Sequence, residues 1–298
     1  MARPTVDELE ARIHELEDEV KEREADLATY REELKNANRR LERLIGDLNL
    51  ELKAAHQIQR LLIPTELPNI PGFEFSSKFV PSMKKGGDYF DIFEHDDRSR
   101  FGIVVASSSG HMMSALLLSV LLKLSGQIEA RRGAAPNELV KILSKEILEQ
   151  IESKDSADLL FASFDRRSFQ FSHCKVGEIL ALRFDYAASE LKLLKGSKDP
   201  IKVGRVGDFE SESIGLNPRD KLIFCTRGLI EAKSLEGEEY GVDRLFRTIH
   251  EMAGRSVHEL RNHVLYQIQK FTSGQEPPRD MTLVIAEVKD RVIKLAKN

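Results

Sequence analysis

The sequence has few of the residues that mark secreted, membrane-spanning or nucleic-acid-binding proteins. Its 298 residues include only two cysteines, Cys174 and Cys225, too few for a disulfide framework or a four-cysteine zinc site. No apolar run approaches the roughly 20 residues that span a bilayer, and the amino terminus lacks the apolar segment of a signal peptide. The net charge of −4 gives no sign of a general nucleic-acid binder. These absences favour a cytoplasmic protein without a membrane span or a nucleic-acid partner.

Proline is missing between Pro4 and Pro64, and a seven-residue register runs through that segment. The second core position of the register is mostly apolar, with Arg23 and Glu51 as its charged exceptions. The first core position is apolar throughout and includes Val6, Ile13, Val20, Leu27, Leu34, Leu41 and Leu48. Such a repeat, flanked by charged residues, predicts a coiled coil, and early β-branched residues favour a parallel pair. We therefore predict a homodimer through a coiled coil and switch helix over residues 1–63; a single solvated helix folded back on the domain is the alternative.

The rest of the chain predicts one α+β domain over residues 64–290, followed by a tail over 291–298. Short runs rich in valine, isoleucine and phenylalanine, bounded by turn residues, are typical of strands. They read FEFSSKF, YFDIFEH, FGIVVAS, LLFASFD, SFQFSHC, EILALRF, KLIFCTR and MTLVIAEV. Helices are predicted over 111–130, 136–153, 243–253 and 256–272. Grouped strands with helices between the groups fit an α+β sandwich better than a parallel βαβ sheet.

Several motifs in this domain occur together in the order of one known family. They are HQIQRLLIPTELPNIPGFEF, KKGGDYFDIF, SSSGHMMSALLLS, FCTRGLIEA, EEYGVDRLF and RDMTLVIAEV. With them, residues 54–288 resemble the SpoIIE-like branch of the metal-dependent protein phosphatases, the protein phosphatase 2C superfamily. The resemblance implies an α-β-β-α sandwich with Mn²⁺ or Mg²⁺ ions between the sheets. Two such ions activate a water molecule that attacks a phosphoserine or phosphothreonine, and several carboxylates hold them.

The four motifs that supply these carboxylates in the family are altered in this chain. Asp88 keeps the first acid, in GGDY. Ser107 stands where the second motif has an aspartate, Arg227 where Thr-Asp-Gly has one, and Arg279 at the first acid of Asp-Asp-x-Thr. The usual Ala-Gly-His segment is also changed and carries Lys175 at its centre. Asp88 is thus the one clearly retained family ligand.

Electrostatics indicates what these replacements do to a metal site. An arginine 4 Å from a dication repels it by about 8 kcal/mol at an effective dielectric constant of 20, and arginine cannot deprotonate. We therefore expect no metal and no cofactor, and a catalytically inactive pseudophosphatase. One hypothesis is that Arg227 and Arg279 replace the ions and pair with Asp88. The alternatives are that the two arginines bind a phosphorylated partner, or that they are solvent-exposed in a decayed pocket.

The function predicted from this resemblance is a dimeric, non-catalytic signalling module that binds a protein partner. Family members commonly act on small phosphorylated regulators in bacterial partner-switching pathways. One alternative is an active Mn²⁺- or Mg²⁺-dependent serine/threonine phosphatase whose unusual site uses Asp88 with the neighbouring acids Asp91 and Asp280. Another is a scaffold protein in which the coiled coil is the functional part.

Overall fold

A computed structural model describes residues 6–82, 87–96, 98–109, 133–148, 156–202 and 209–289. The helices are α1 (Val6–Leu62), α2 (Pro136–Leu148), α3 (Arg227–Ile230), α4 (Val242–Met252) and α5 (Val257–Thr272). The strands are β1 (Phe73–Val80), β2 (Asp88–Glu94), β3 (Arg100–Ser108), β4 (Ser156–Asp165), β5 (Gln170–Val176), β6 (Leu180–Asp185), β7 (Glu190–Leu193), β8 (Ile201–Lys202), β9 (Glu212–Gly215), β10 (Lys221–Cys225) and β11 (Met281–Val288). The chain divides into two compact units, Met1–Ala54 and Ala55–Asn298.

The first unit holds most of α1, a helix of 57 residues. At about 1.5 Å per residue it is roughly 85 Å long. The first core position of the seven-residue register is between 53% and 70% exposed at Val6, Ile13, Val20, Leu27, Leu34 and Leu41. The side chain of Leu48 lies outside the described part of the chain. A single copy of the helix therefore leaves a regular apolar row uncovered.

The second unit contains two antiparallel sheets. One has the strand order β1-β11-β10-β6-β7, and the other β2-β3-β4-β5-β9, with β8 paired to β4. The strand β11, which pairs with β1 and β10, is buried along its whole length. Its alternate residues face opposite sides: Val284 and Ala286 pack between the sheets, whereas Leu283 and Ile285 pack toward helices.

Three apolar clusters give the domain its layers. The cluster between the sheets includes Phe90, Phe101 and Phe224 from both of them. A second cluster joins the β11 sheet to α4 and α5, and a third joins the β3 sheet to α2. The order is helix, sheet, sheet, helix, so the predicted α+β sandwich is confirmed.

The eight strands predicted from the sequence correspond to β1–β6, β10 and β11. The strands β7, β8 and β9 were not predicted, because two to four residues are too few to show an alternating pattern. The helix predicted over 111–130 and the tail over 291–298 lie outside the described residues. Within the described ranges, no helix is long and apolar enough to cross a membrane.

Candidate functional site

The site is built at the ends of strands from both sheets, around the carboxylate of Asp88. Asp88 begins β2 and is buried. The hydroxyl of Thr226, just after β10, donates to Asp88 Oδ2 over 2.5 Å, and the hydroxyl of Thr282 in β11 donates to the same oxygen over 2.8 Å. The Thr226 hydroxyl also accepts the backbone N–H of Thr282 at 2.9 Å. Asp88 thus joins the two sheets through a buried hydroxyl network.

Strand register aligns two further side chains with Asp88. Ser107 is its direct partner in β3 and hydrogen-bonds with the carboxylate, and Asp158 in β4 is the direct partner of Ser107. Directly opposed residues share a face of the sheet, so Asp88, Ser107 and Asp158 form one row across three strands. Asp158 lies against Gly177, where a β-carbon would come within 2.0 Å of Asp158 Oδ1. This buried acid was not among the residues predicted from the sequence.

Asp280 lies beside Asp88, and its carboxylate accepts hydrogen bonds from backbone N–H groups. Its carboxylate accepts the N–H groups of Ser82 at 2.7 Å, Gly87 at 2.8 Å and Asp88 at 3.3 Å. Ser82, Gly87 and the first residue of β2 are thereby fixed to the residue that precedes β11. The close approach of α3 to this point requires glycine at position 228, where a β-carbon would lie 1.9 Å from the carbonyl oxygen of Asp280.

The ion pairs of the two arginines go to glutamates. Arg227 contacts Glu178 at 3.0 Å and Glu231 at 2.9 Å, and Arg279 contacts the other carboxylate oxygen of Glu231 at 2.9 Å. Glu231 therefore bridges both guanidinium groups. The hypothesis paired both arginines with Asp88. Their ion pairs in the structure are instead with Glu178 and Glu231.

Asp91 lies on the opposite face of β2 from Asp88. Side chains alternate along a strand, so residues three apart point to opposite faces. Asp91 accepts a hydrogen bond from Tyr89 at 3.2 Å, and Tyr89 belongs to the cluster between this sheet and α2. Asp91 and Asp88 therefore do not lie at one site. Asp280 does lie next to Asp88.

Burial shapes the protonation of the acids in the row. Burial, reinforced by the nearby charge of Asp280, raises the pKa of Asp88 to about 7, against the opposing effect of its hydroxyl donors. Burial also raises the pKa of Asp158 to about 6, although a backbone N–H and the charges of Arg227 and Arg279 favour its ionised form. The site thus holds two carboxyl groups that resist ionisation and a separate cluster of paired charges.

Comparison with known proteins identifies the family. The model of the stage II sporulation protein E (SpoIIE) family matches residues 97–289, more than half of the chain. The chain belongs to the SpoIIE family. Among curated proteins, it is 18% identical to the phosphoserine phosphatase RsbU of Bacillus subtilis over 80% of this chain and 70% of that protein.

Solved structures support the same fold. One is the structure of the RsbU and RsbW domains of Rv1364c from Mycobacterium tuberculosis, with a TM-score of 0.65 and 23% identity over 76% of this chain and 63% of that chain. This chain thus spans less than two thirds of that relative. Another is the SiaA-PP2C domain of Pseudomonas aeruginosa, with a TM-score of 0.66 and 19% identity over 82% of this chain and 97% of that chain. The SpoIIE-like domain therefore has the protein phosphatase 2C fold.

The expectation that the chain has no cofactor is wrong in the light of its family. The relatives are phosphatases of the protein phosphatase 2C type, which depend on Mn²⁺ or Mg²⁺. The fold relative RsbX was solved in complex with magnesium; its TM-score is 0.58, with 13% identity over 75% of this chain and 99% of that chain. Mn²⁺ and Mg²⁺ are therefore the cofactors of the family to which this chain belongs.

The residues around Asp88 do not fit the two-ion centre of that family. Such a centre needs several carboxylates pointing into one space. Here Thr226 and Thr282 both donate to one oxygen of Asp88, and the positive charges of Arg227 and Arg279 act on Asp158 in the same row. Among the described residues, no three His, Cys, Asp or Glu side chains are grouped as a metal site requires. The side chains around Asp88 therefore do not match the metal cofactor on which the family depends.

Sequence reasoning missed Asp158, Glu178 and Glu231. Glu231 had a visible signal, because it follows Arg227 by four residues and so lies on the same face of a helical turn. Asp158 and Glu178 had none, since their place beside the arginines depends on strand register and on the turn after β5.

Proposed function

We propose that this chain is a regulatory member of the SpoIIE family that does not hydrolyse phosphoserine and acts by binding a protein partner in the cytoplasm. The observation that carries the proposal is the ion cluster of Arg227, Glu231 and Arg279. These arginines stand at two of the family's carboxylate positions, and a serine stands at a third. Two dications would activate the attacking water molecule and neutralise the phosphoryl oxygens, and three of the carboxylates that hold such ions in the family are replaced here.

The relatives support a partner from a phosphorylation-dependent signalling pathway. RsbU is a phosphoserine phosphatase, and the Rv1364c structure combines an RsbU domain with an RsbW domain. The altered acids lie around Asp88, so we expect the chain to keep surfaces that recognise such proteins. We therefore place the chain in a partner-switching pathway, as a protein that binds a regulator rather than dephosphorylating it.

The exposed apolar row of α1 supports pairing with a second copy. Leucine, isoleucine and valine recur there every seven residues and are mostly exposed in the single chain. Two such rows exclude water from each other when two helices pair, and burial of each side chain contributes about 1.5–3 kcal/mol. We therefore assign α1 the role of a parallel dimerisation element.

Phosphate release from a phosphoserine peptide tests the loss of hydrolysis. The full chain is assayed with millimolar Mn²⁺ and then Mg²⁺, beside the triple variant Ser107→Asp/Arg227→Asp/Arg279→Asp. We expect release by the wild type to stay at the level of the blank. Activity in the triple variant would show that the three replacements cause the loss of hydrolysis in the wild type. Metal-dependent release by the wild type would refute the proposal in favour of an active phosphatase.

Sedimentation of the full chain tests the dimer. Leu34→Lys places a charge in the apolar row, and we expect it to weaken self-association at least tenfold. Glu32→Lys, on the polar face of the same turn, is the matched control and should leave the dimer intact. A wild-type chain that is monomeric at tens of micromolar, or equal effects of the two variants, would contradict the assignment.

A further inference from the structure

A cleft of about 460 Å³ opens between α4 and α5, in the helical layer that covers the β11 sheet. Its floor is aromatic: Tyr240 is buried, Phe271 is half-buried, and their rings meet edge to face at 5.2 Å. Its walls carry three cationic side chains, Arg244 and Arg247 from α4 and Lys270 from α5. The cleft thus combines aromatic surface with concentrated positive charge.

Arg244 is held in this cleft by an aromatic ring and by one acid. Its guanidinium carbon lies 4.4 Å from the ring centroid of Phe271, and Nη2 donates to Glu238 Oε1 at 2.8 Å. The other terminal nitrogen, Nη1, is buried and has no hydrogen-bond partner among the residues that the structure describes. A buried donor without a partner is unfavourable, so an acceptor that reaches Nη1 gains more than it would at a fully hydrated arginine.

The acids near the cleft are fewer than its cations, and each already has a partner. Glu251 lines the cleft and hydrogen-bonds with His263 Nε2 at 3.3 Å. Glu238, just outside the lining, is the acid that pairs with Arg244. The cleft therefore keeps a local excess of positive charge on a chain whose net charge is −4.

Arg247 and Lys270 are the cations that a ligand can reach, because both side chains are exposed. Arg247 Nε donates to the carbonyl oxygen of Asp243 at 3.4 Å. Within the described ranges, no ion pair joins Arg247 or Lys270 to an acid. Tyr266 is 61% exposed and lies four residues before Lys270, on the same face of α5. Arginine and tyrosine are among the residues most enriched where protein interfaces gain their binding energy.

We propose that this cleft docks an acidic segment of a partner protein, with carboxylates paired to its three cations and an apolar side chain resting on Tyr266. The planar fork of arginine pairs with a carboxylate through two parallel hydrogen bonds. Arg244 and Arg247 lie one turn apart on α4 and Lys270 lies on the facing helix, so several carboxylates along a segment match them better than one small anion. The inference rests on the proposed function only in requiring a protein partner, since the described residues that line the cleft are not those around Asp88.

The test is fluorescence anisotropy of the full chain in EDTA and about 50 mM NaCl, with the labelled peptide Glu-Asp-Leu-Glu-Glu. The reference peptide, Gln-Asn-Leu-Gln-Gln, has the same shape without the charges. We expect the acidic peptide to bind at least about tenfold more tightly, and Arg247→Gln/Lys270→Gln to weaken its binding about tenfold. The matched control is Arg167→Gln/Lys192→Gln, the same change of charge at exposed positions after β4 and in β7, outside the cleft.

Two further measurements examine the chemistry of the contact. Arg244→Lys keeps the charge and removes the planar fork, so we expect it to weaken the acidic peptide several-fold. Wild-type affinity in this variant would overturn the two-pronged contact. Displacement of the peptide by millimolar inorganic phosphate at matched ionic strength would overturn the choice of a carboxylate segment in favour of a phosphate ion.

Equal binding of the two peptides, or equal effects of the cleft and control variants, would overturn the inference as a whole. The outcomes also separate it from the proposed function. Phosphate release in Mn²⁺ together with cleft-dependent peptide binding would refute only the loss of hydrolysis. No release together with binding that the cleft variant leaves unchanged would refute only the docking cleft.

Discussion

Replacing Asp88 with asparagine should stabilise the domain at neutral pH. The pKa of Asp88 is about 7 in the folded chain, against 3.8 for an ordinary aspartate, mainly because the group is buried. Between these two values the unfolded chain loses the proton and the folded chain keeps it, so folding stability falls as the pH rises. A difference of roughly three pKa units at 1.36 kcal/mol each corresponds to about 4 kcal/mol. Asparagine does not titrate, and the variant escapes this loss.

Urea unfolding at several pH values between 4 and 8, in EDTA, measures this effect. Tyrosine fluorescence suits the domain, because the chain has no tryptophan and four of its five tyrosines lie outside α1. We expect the unfolding free energy of Asp88→Asn, relative to wild type, to rise by about 4 kcal/mol between pH 4 and pH 8. Asp96→Asn, at an exposed position, is the control and should show a flat difference.

A difference that stays constant or falls with pH would refute the reasoning, because it would mean that Asp88 is ionised at low pH in the folded chain. Repeating the pair of measurements in millimolar Mn²⁺ asks a separate question. An ion that binds only the folded state stabilises it by an amount that grows with the logarithm of the ion concentration divided by its dissociation constant. Stabilisation of the wild type but not of Asp88→Asn would identify Asp88 as an ion ligand.

Two further substitutions test the packing of the site, each by urea unfolding at pH 7. Glu231→Gln removes the charge that both arginines share, so we expect the free energy of unfolding to fall by about 1–3 kcal/mol. The control Glu236→Gln, at an exposed position, should change it by less than about 0.5 kcal/mol. Equal effects of the two variants would show that the bridge contributes little. Gly228→Ala forces a methyl group against the carbonyl oxygen of Asp280, so we expect a loss of about 1–3 kcal/mol. In Gly254→Ala the added methyl meets no atom within 4 Å, and a comparable loss there would contradict the steric explanation.

The sequence patterns that depend on local periodicity predicted most of the fold. The long helix α1 follows from a seven-residue repeat, and the strands with five or more residues follow from runs rich in valine, isoleucine and phenylalanine bounded by turn residues. The strands β7, β8 and β9 are held by pairing with longer neighbours, and no local pattern marks them. The same distinction applies to Asp91, whose separation from Asp88 follows from strand alternation and was predictable.

The partners of the arginines depend on long-range geometry. Glu178 lies 49 positions before Arg227, and Glu231 lies 48 positions before Arg279, so no local spacing indicates these contacts. Family motifs identified the arginine positions because the motifs fix where the strands end. They did not identify which acid would neutralise each arginine, because Glu178 stands outside every motif and nothing in FCTRGLIEA indicates that its Glu231 contacts Arg279.

The ion cluster also determines what restoration of the family's acids would require. Arg227→Asp removes the cation that Glu178 and Glu231 share and places a new carboxylate beside them. Arg279→Asp adds a further negative charge beside Glu231. Like charges at such distances repel by several kcal/mol where water is partly excluded. The triple variant should therefore unfold more readily than the wild type in EDTA and regain stability in Mn²⁺, because a dication replaces the lost guanidinium charges. Adding Glu231→Gln to the triple variant removes one of the opposing acids and should raise its stability in EDTA, which separates charge repulsion from a general loss of packing.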